Sequence, residues 1–96
     1  MATYVRLVSF TDKGLHDIKD TVNRAEAFKS LAKKHGVTVK EIVWTHGPYD
    51  MVTIIDAPDE TSASALSLSD AKLGYKRVQT LRAFTAAEME KILDKV

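Results

Sequence analysis

A histidine, a phenol and a carboxylate stand close together in the run His46-Gly47-Pro48-Tyr49-Asp50. A carboxylate beside an imidazole selects the tautomer and raises the basicity, so His46 with Tyr49 and Asp50 is a candidate catalytic group centred on a general base. The same run has a structural reading. Gly47-Pro48 is a strong turn signal. Asp50 then accepts backbone N–H bonds in the turn, and Tyr49 packs on a neighbour. Arg6 and Arg82 are candidates for binding a carboxylate or phosphate, because a guanidinium fork matches either. Arg6 lies mid-strand between apolar residues, so it must pair, reach solvent or bind an anion. The competing partner for these arginines is an acid of the chain itself, with Glu41, Asp50 and Asp56 as candidates. Trp44, with Tyr4, Phe10, Phe28 and Met51, either lines an apolar ligand pocket or is plain core and interface.

Other chemistries have no support. His16, His35 and His46 form no ligand-spaced pair and cysteine is absent, so no metal and no cofactor is expected. There is no phosphate-cradling glycine loop and no serine nucleophile elbow. A formal net charge of +1 gives no basic footprint for nucleic acid. No apolar run approaches the roughly 20 residues of a membrane span. The first residues lack the pattern of a secretory leader, and the expected location is the cytoplasm.

The elements that must position these groups follow from periodicity. Thr3 to Phe10 reads as a strand with Tyr4, Arg6, Val8 and Phe10 on one face. Both faces are largely apolar, as in an inner strand covered on both sides. Asp12 is placed to cap a short helical turn. From Asp20 or Thr21, apolar residues recur at Val22, Ala25, Phe28, Leu31 and Ala32 on an amphipathic helix that Gly36 stops. Residues 13–35 make either one helix or two. Thr38 to His46 is a second strand, with Val39, Glu41, Val43 and Thr45 opposite Lys40, Ile42, Trp44 and His46. Asp50 to Ala57 follows so closely that the pair is a β-hairpin. Asp59 caps a helix from Glu60 to about Leu73, rich in Ala and Ser, with Leu66, Leu68 and Leu73 as its large apolar residues. Tyr75 to Phe84 is a fourth strand, polar enough for an edge. Thr85 and Glu88 form a capping box, and Met89, Ile92, Leu93 and Val96 make one stripe of a short final helix.

The order is βαββαβ plus a terminal helix, and at 96 residues it makes a single α+β, ferredoxin-like domain over residues 1–96. Both long helices cover one face of a four-stranded antiparallel sheet. The other face is left bare and partly apolar, and a monomer rarely exposes such a patch beyond a few hundred Å2. A symmetric homodimer, or a higher homo-oligomer, is therefore expected, with the bare faces packed together.

Gly47-Pro48-Tyr49-Asp50, with the aliphatic strand and Ala57-Pro58-Asp59 behind it, resembles the signature of the GYD-domain family. Thr80-Leu81-Arg82-Ala83-Phe84-Thr85 is similar to that family's last strand and Tyr4 to Phe10 to its first. Pro48 departs from the pattern, where the family often has a polar or acidic residue. The resemblance implies a dimeric α+β barrel and no reaction, since the family is known as one of uncharacterised function. Two functional readings follow. One is a non-enzymatic homo-oligomer that binds a small organic ligand or serves as an assembly module. The other is a cofactor-free α+β-barrel enzyme, of oxygenase or isomerase type, that uses His46 with Tyr49 and Asp50.

Overall fold

The strand β1 (Ala2–Phe10) divides the molecule into two layers. In the computed structural model, which describes residues 1–96, Tyr4, Arg6 and Val8 are buried on one side of this strand. After it come α1 (Asp12–His16), a 3-10 turn (Ile18–Asp20), α2 (Thr21–Lys34), β2 (Thr38–Trp44), β3 (Met51–Ala57), α3 (Glu60–Ala71), β4 (Lys76–Ala83) and α4 (Ala86–Leu93). The four strands form one antiparallel sheet in the order β2-β3-β1-β4. This is the ferredoxin-like α+β arrangement. β1 and β3 are central, which accounts for their apolar residues in both phases.

The core lies between the sheet and α2 and α3. Tyr4, Phe28, Ala32, Val37, Ile55, Ala57, Ala63 and Leu66 form its larger cluster. Val8, Ala25 and Met51 form a smaller one, with Phe10 packed against it. In α3 the inward residues are Ala63, Leu66 and Asp70, on one stripe of the helix. Leu68 falls off that stripe and Leu73 lies past the end of α3; both are exposed, so only one of the three leucines enters the core. The small residues of α3 contribute little apolar area themselves.

Residues 12–34 are interrupted rather than continuous. Thr11, not Asp12, caps α1, its side chain accepting from the Gly14 N–H. Gly14 is buried, and a Cβ there would collide with the Tyr75 carbonyl oxygen. That close approach lets α1 dock against the start of β4, where the Thr11 N–H donates to the Tyr75 carbonyl at 3.1 Å. The 3-10 turn then redirects the chain into α2.

One face assignment changes. The pairing of β2 with β3 shifts register between Val39 and Glu41. Val39 and Ile42 therefore both pack on the helix side, although an even strand would put them on opposite faces. Lys40 is the extra residue of this bulge, and Glu41 and Val43 go to the bare side.

Candidate functional site

The β2–β3 hairpin loop is tied from within. The Thr45 N–H donates to the Asp50 carbonyl at 2.9 Å, and Thr45 Oγ1 donates to the Tyr49 carbonyl at 2.6 Å. Gly47 has φ +113, a conformation that a side chain would strain. Asp50 fixes the loop to the sheet. Its N–H donates to the Val8 carbonyl at 2.8 Å, and its Oδ2 accepts from the Phe10 N–H at 2.8 Å. The Tyr49 hydroxyl donates to Gln79 Oε1 on β4 at 2.9 Å. Asp50 and Tyr49 are thus both engaged away from the imidazole. His46 is exposed beyond the end of β2, and no hydrogen bond joins it to either residue.

The remaining candidates lie elsewhere. Trp44 is on the helix side, 43% exposed, with its indole N–H donating to Thr21 Oγ1 at 3.0 Å. Tyr4, Phe28 and Met51, its proposed companions, are core residues. Arg82 pairs in register with Tyr4 and lines a shallow cleft with Tyr4, Ala63, Leu68 and Thr80 beneath α3. Its guanidinium donates to the Thr3 and Ala83 carbonyls, meets Glu88 at 3.6 Å and stacks over Phe84. Gln79, which holds Tyr49, is three residues earlier and on the other sheet face. Arg82 and the hairpin loop therefore share no cleft within one chain.

Arg6 is fully buried on the helix side. Its partner is none of Glu41, Asp50 and Asp56; it is Asp70 of α3, at 2.7 Å. Lys76 joins the same carboxylate at 3.0 Å. Arg6 and Lys76 also lie over the face of Phe28, at 4.3 and 4.9 Å from the ring centroid. Burial pulls both cations below their ordinary pKa, and Asp70 opposes this in each case. The charges of Arg6 and Arg24 push Lys76 down further. Arg6 Nε has no partner. The signal for this cluster was present in the sequence as Asp70 itself, an acid in phase with Ala63 and Leu66 on the inward stripe of a helix.

Between α2, α3 and the start of β4 a cleft of about 500 Å3 opens on this cluster. Phe28, Leu31, Leu73 and Tyr75 supply its apolar wall, and Arg24, Lys34, Lys76 and Asp70 its charges. No group of three His, Cys, Asp or Glu side chains is placed to hold a metal ion. No helix is long and apolar enough to cross a membrane.

The opposite sheet face carries no helix. Its side chains form a grid set by the strand registers. One row runs Val43, Val52, Leu7, Gln79, and the next Glu41, Ile54, Val5, Leu81. Six adjacent apolar side chains thus occupy the middle of the bare face. Beyond β4, α4 carries a second largely uncovered surface: Met89, Ile92 and Leu93 are 44, 37 and 56% exposed, and Val96, which periodicity puts on the same stripe, lies past the end of the helix.

The GYD domain model matches residues 4–93. A Thermus thermophilus protein named glutamine synthetase and cystathionine beta-lyase binding protein is 29% identical over 90 residues, covering 93% of this chain and 95% of that relative. A crystal structure of a Thermus thermophilus protein superposes with a TM-score of 0.57 at 24% identity, over 90% of this chain and 96% of that one. The solution structure of the C-terminal domain of the MgtC protein from Mycobacterium tuberculosis gives 0.56 at 14% identity, over 86% and 88%. These two structural likenesses are likenesses of fold.

Proposed function

The chain belongs to the GYD-domain family, and we propose that it acts as a homodimeric protein-binding module of the cytoplasm. The observation that carries this reading is the apolar grid on the bare sheet face, together with the largely uncovered stripe of α4. A second copy is the natural cover for the grid, because a two-fold axis sets the same apolar patch of both copies face to face. The relative named for binding glutamine synthetase and cystathionine beta-lyase supports the second half of the proposal. In this reading the hairpin loop is the contact element. Thr45, Tyr49 and Asp50 hold it in one shape, and its tip presents exposed His46, Gly47 and Pro48. A loop already held in its bound shape loses little entropy on docking.

Static light scattering of the purified protein at micromolar concentration tests the dimer, and a monomer overturns it. Val43→Glu and Leu81→Glu each place a carboxylate in the grid at a half-exposed position, and each is expected to yield folded monomer. Partner binding is tested by biolayer interferometry against purified glutamine synthetase and cystathionine beta-lyase from the same organism. Saturable binding is expected, with a loss of about tenfold for the double variant His46→Ala, Pro48→Ala. No binding to either enzyme removes these partners from the proposal.

A further inference from the structure

We propose that the cleft between α2, α3 and β4 is a binding site for a small organic anion with an aromatic or branched apolar body. It lies on the helix side of the sheet, away from the proposed dimer face, and does not depend on that assembly.

Charge is the first argument. Arg24, Lys34 and Lys76 line the cleft against one carboxylate, Asp70. That carboxylate is already committed: its Oδ2 accepts from Arg6 at 2.7 Å and its Oδ1 meets Lys76 at 3.0 Å. The buried set of Arg6, Lys76 and Asp70 therefore carries one positive charge in excess. An uncompensated charge out of water is costly, and an anion at the cleft floor relieves it. Lys76 is 8% exposed, so water screens it poorly. Its ammonium has three N–H donors and one carboxylate partner, which leaves donor capacity for a ligand. Arg24 stands close by, with its guanidinium 4.7 Å from the Tyr75 ring centroid and donating to the Asp17 and Gly14 carbonyls. It contributes field rather than a free fork. Lys34, at the C-terminal end of α2, is exposed, and its long side chain can reach over a bound head group.

Shape is the second argument. The cleft volume of about 500 Å3 falls within the range of small-molecule sites. Its walls are Ala27, Phe28, Leu31, Leu73 and Tyr75, so the charged floor is framed by apolar side chains. Leu73 is half exposed although it is large and apolar, which a ligand would correct. A bare inorganic anion would use the floor and waste the walls. A carboxylate or phosphate joined to a ring or a branched chain uses both.

Two-dimensional amide NMR titrations of the unmodified protein test this, with phenylacetate, phenyl phosphate, inorganic phosphate, benzyl alcohol and benzylamine as probes. Saturable shifts confined to residues 24–34 and 70–76 are expected with phenylacetate or phenyl phosphate, and the tighter of the two identifies the head group. Ala27→Trp fills the cleft from an exposed position and is expected to weaken binding at least about tenfold, while Lys34→Glu weakens it about threefold to tenfold. Three outcomes overturn the proposal. Neither organic anion shifts these residues at about 10 mM, where a site of even millimolar affinity is occupied. Benzyl alcohol or benzylamine binds as well as the anions, so the charge is unused. Inorganic phosphate binds as well as phenyl phosphate, so the walls are unused.

Discussion

Asp70 is a single carboxylate between two buried cations, so the two ways of removing its charge should have opposite results. Asp70→Asn leaves Arg6 and Lys76 charged, buried and facing each other. It should lower unfolding stability in urea by about 3–5 kcal/mol, the usual cost of stranding a buried charge. The triple change Arg6→Met, Asp70→Leu, Lys76→Met removes charges and partner together and should restore most of that loss. Recovery is the discriminating result, because an ordinary packing defect would worsen with three core changes. Gly14 supplies a second test at this scale. Gly14→Ala drives a methyl into the Tyr75 carbonyl and should cost about 1–3 kcal/mol, as overpacking does. The sequence required that Arg6 find a partner, and strand phase put Arg6 on the same face as Tyr4 and Val8. It did not name Asp70, because the pair is separated by 64 positions and depends on where α3 crosses the sheet. The strand acids are committed elsewhere: the bulge turns Glu41 to the bare face, Asp50 accepts from the Phe10 N–H and Asp56 from the Thr3 hydroxyl.

The two later helices begin on carboxylate-bearing caps, and acid should loosen them. Asp59 accepts from the Ser62 N–H at 2.7 Å, and that bond holds its pKa below the ordinary 3.8. Glu88 accepts from the Thr85 N–H at 3.0 Å, which holds it below 4.5. Both groups titrate lower when folded than when unfolded. Their contribution is therefore full above those ordinary values and is lost as pH falls through the folded ones. Far-UV circular dichroism should show helix signal declining below about pH 4, with Asp59→Asn and Glu88→Gln each removing part of the pH dependence. An acid titration unchanged by both substitutions refutes this. These caps were legible in the sequence because they are local: Asp59 sits directly before its helix, and Thr85 with Glu88 has the capping-box spacing. The bulge at Lys40 was not legible, since a register shift exists only between two strands. It put Val39 with Ile42, and it is the reason strict alternation misassigned the start of β2. The hairpin was readable from Gly47-Pro48, whereas the attachment of Asp50 to Phe10 and of Tyr49 to Gln79 required the sheet order.

The whole molecule is more extended than its length requires. Its Cα radius of gyration is 14.2 Å, against roughly 12.5 Å expected from chain length for a compact domain. The layers explain this: helices cover one sheet face only, and α4 projects with Met89, Ile92 and Leu93 in solvent. An amphipathic helix of 8 residues is marginal in water without a surface to pack on, even with a good cap. Its own chain covers that stripe only in part, while the capping box and the stripe are both those of a helix meant to be formed. If a second copy covers the bare sheet, α4 of one subunit is placed to pack at the rim of that interface. Hydrogen exchange on the assembled protein should then show protected amides in α4, and the Leu81→Glu monomer should lose that protection while the amides of β1 and β3 keep theirs. A chain ending at Thr85 should retain the sheet signal by circular dichroism and dissociate at protein concentrations about tenfold or more above those of the full chain. Unprotected α4 amides in the dimer, with a truncated chain that associates as tightly as the full one, would assign the stripe to a different partner. The bare sheet would then be the only surface that the dimer proposal needs.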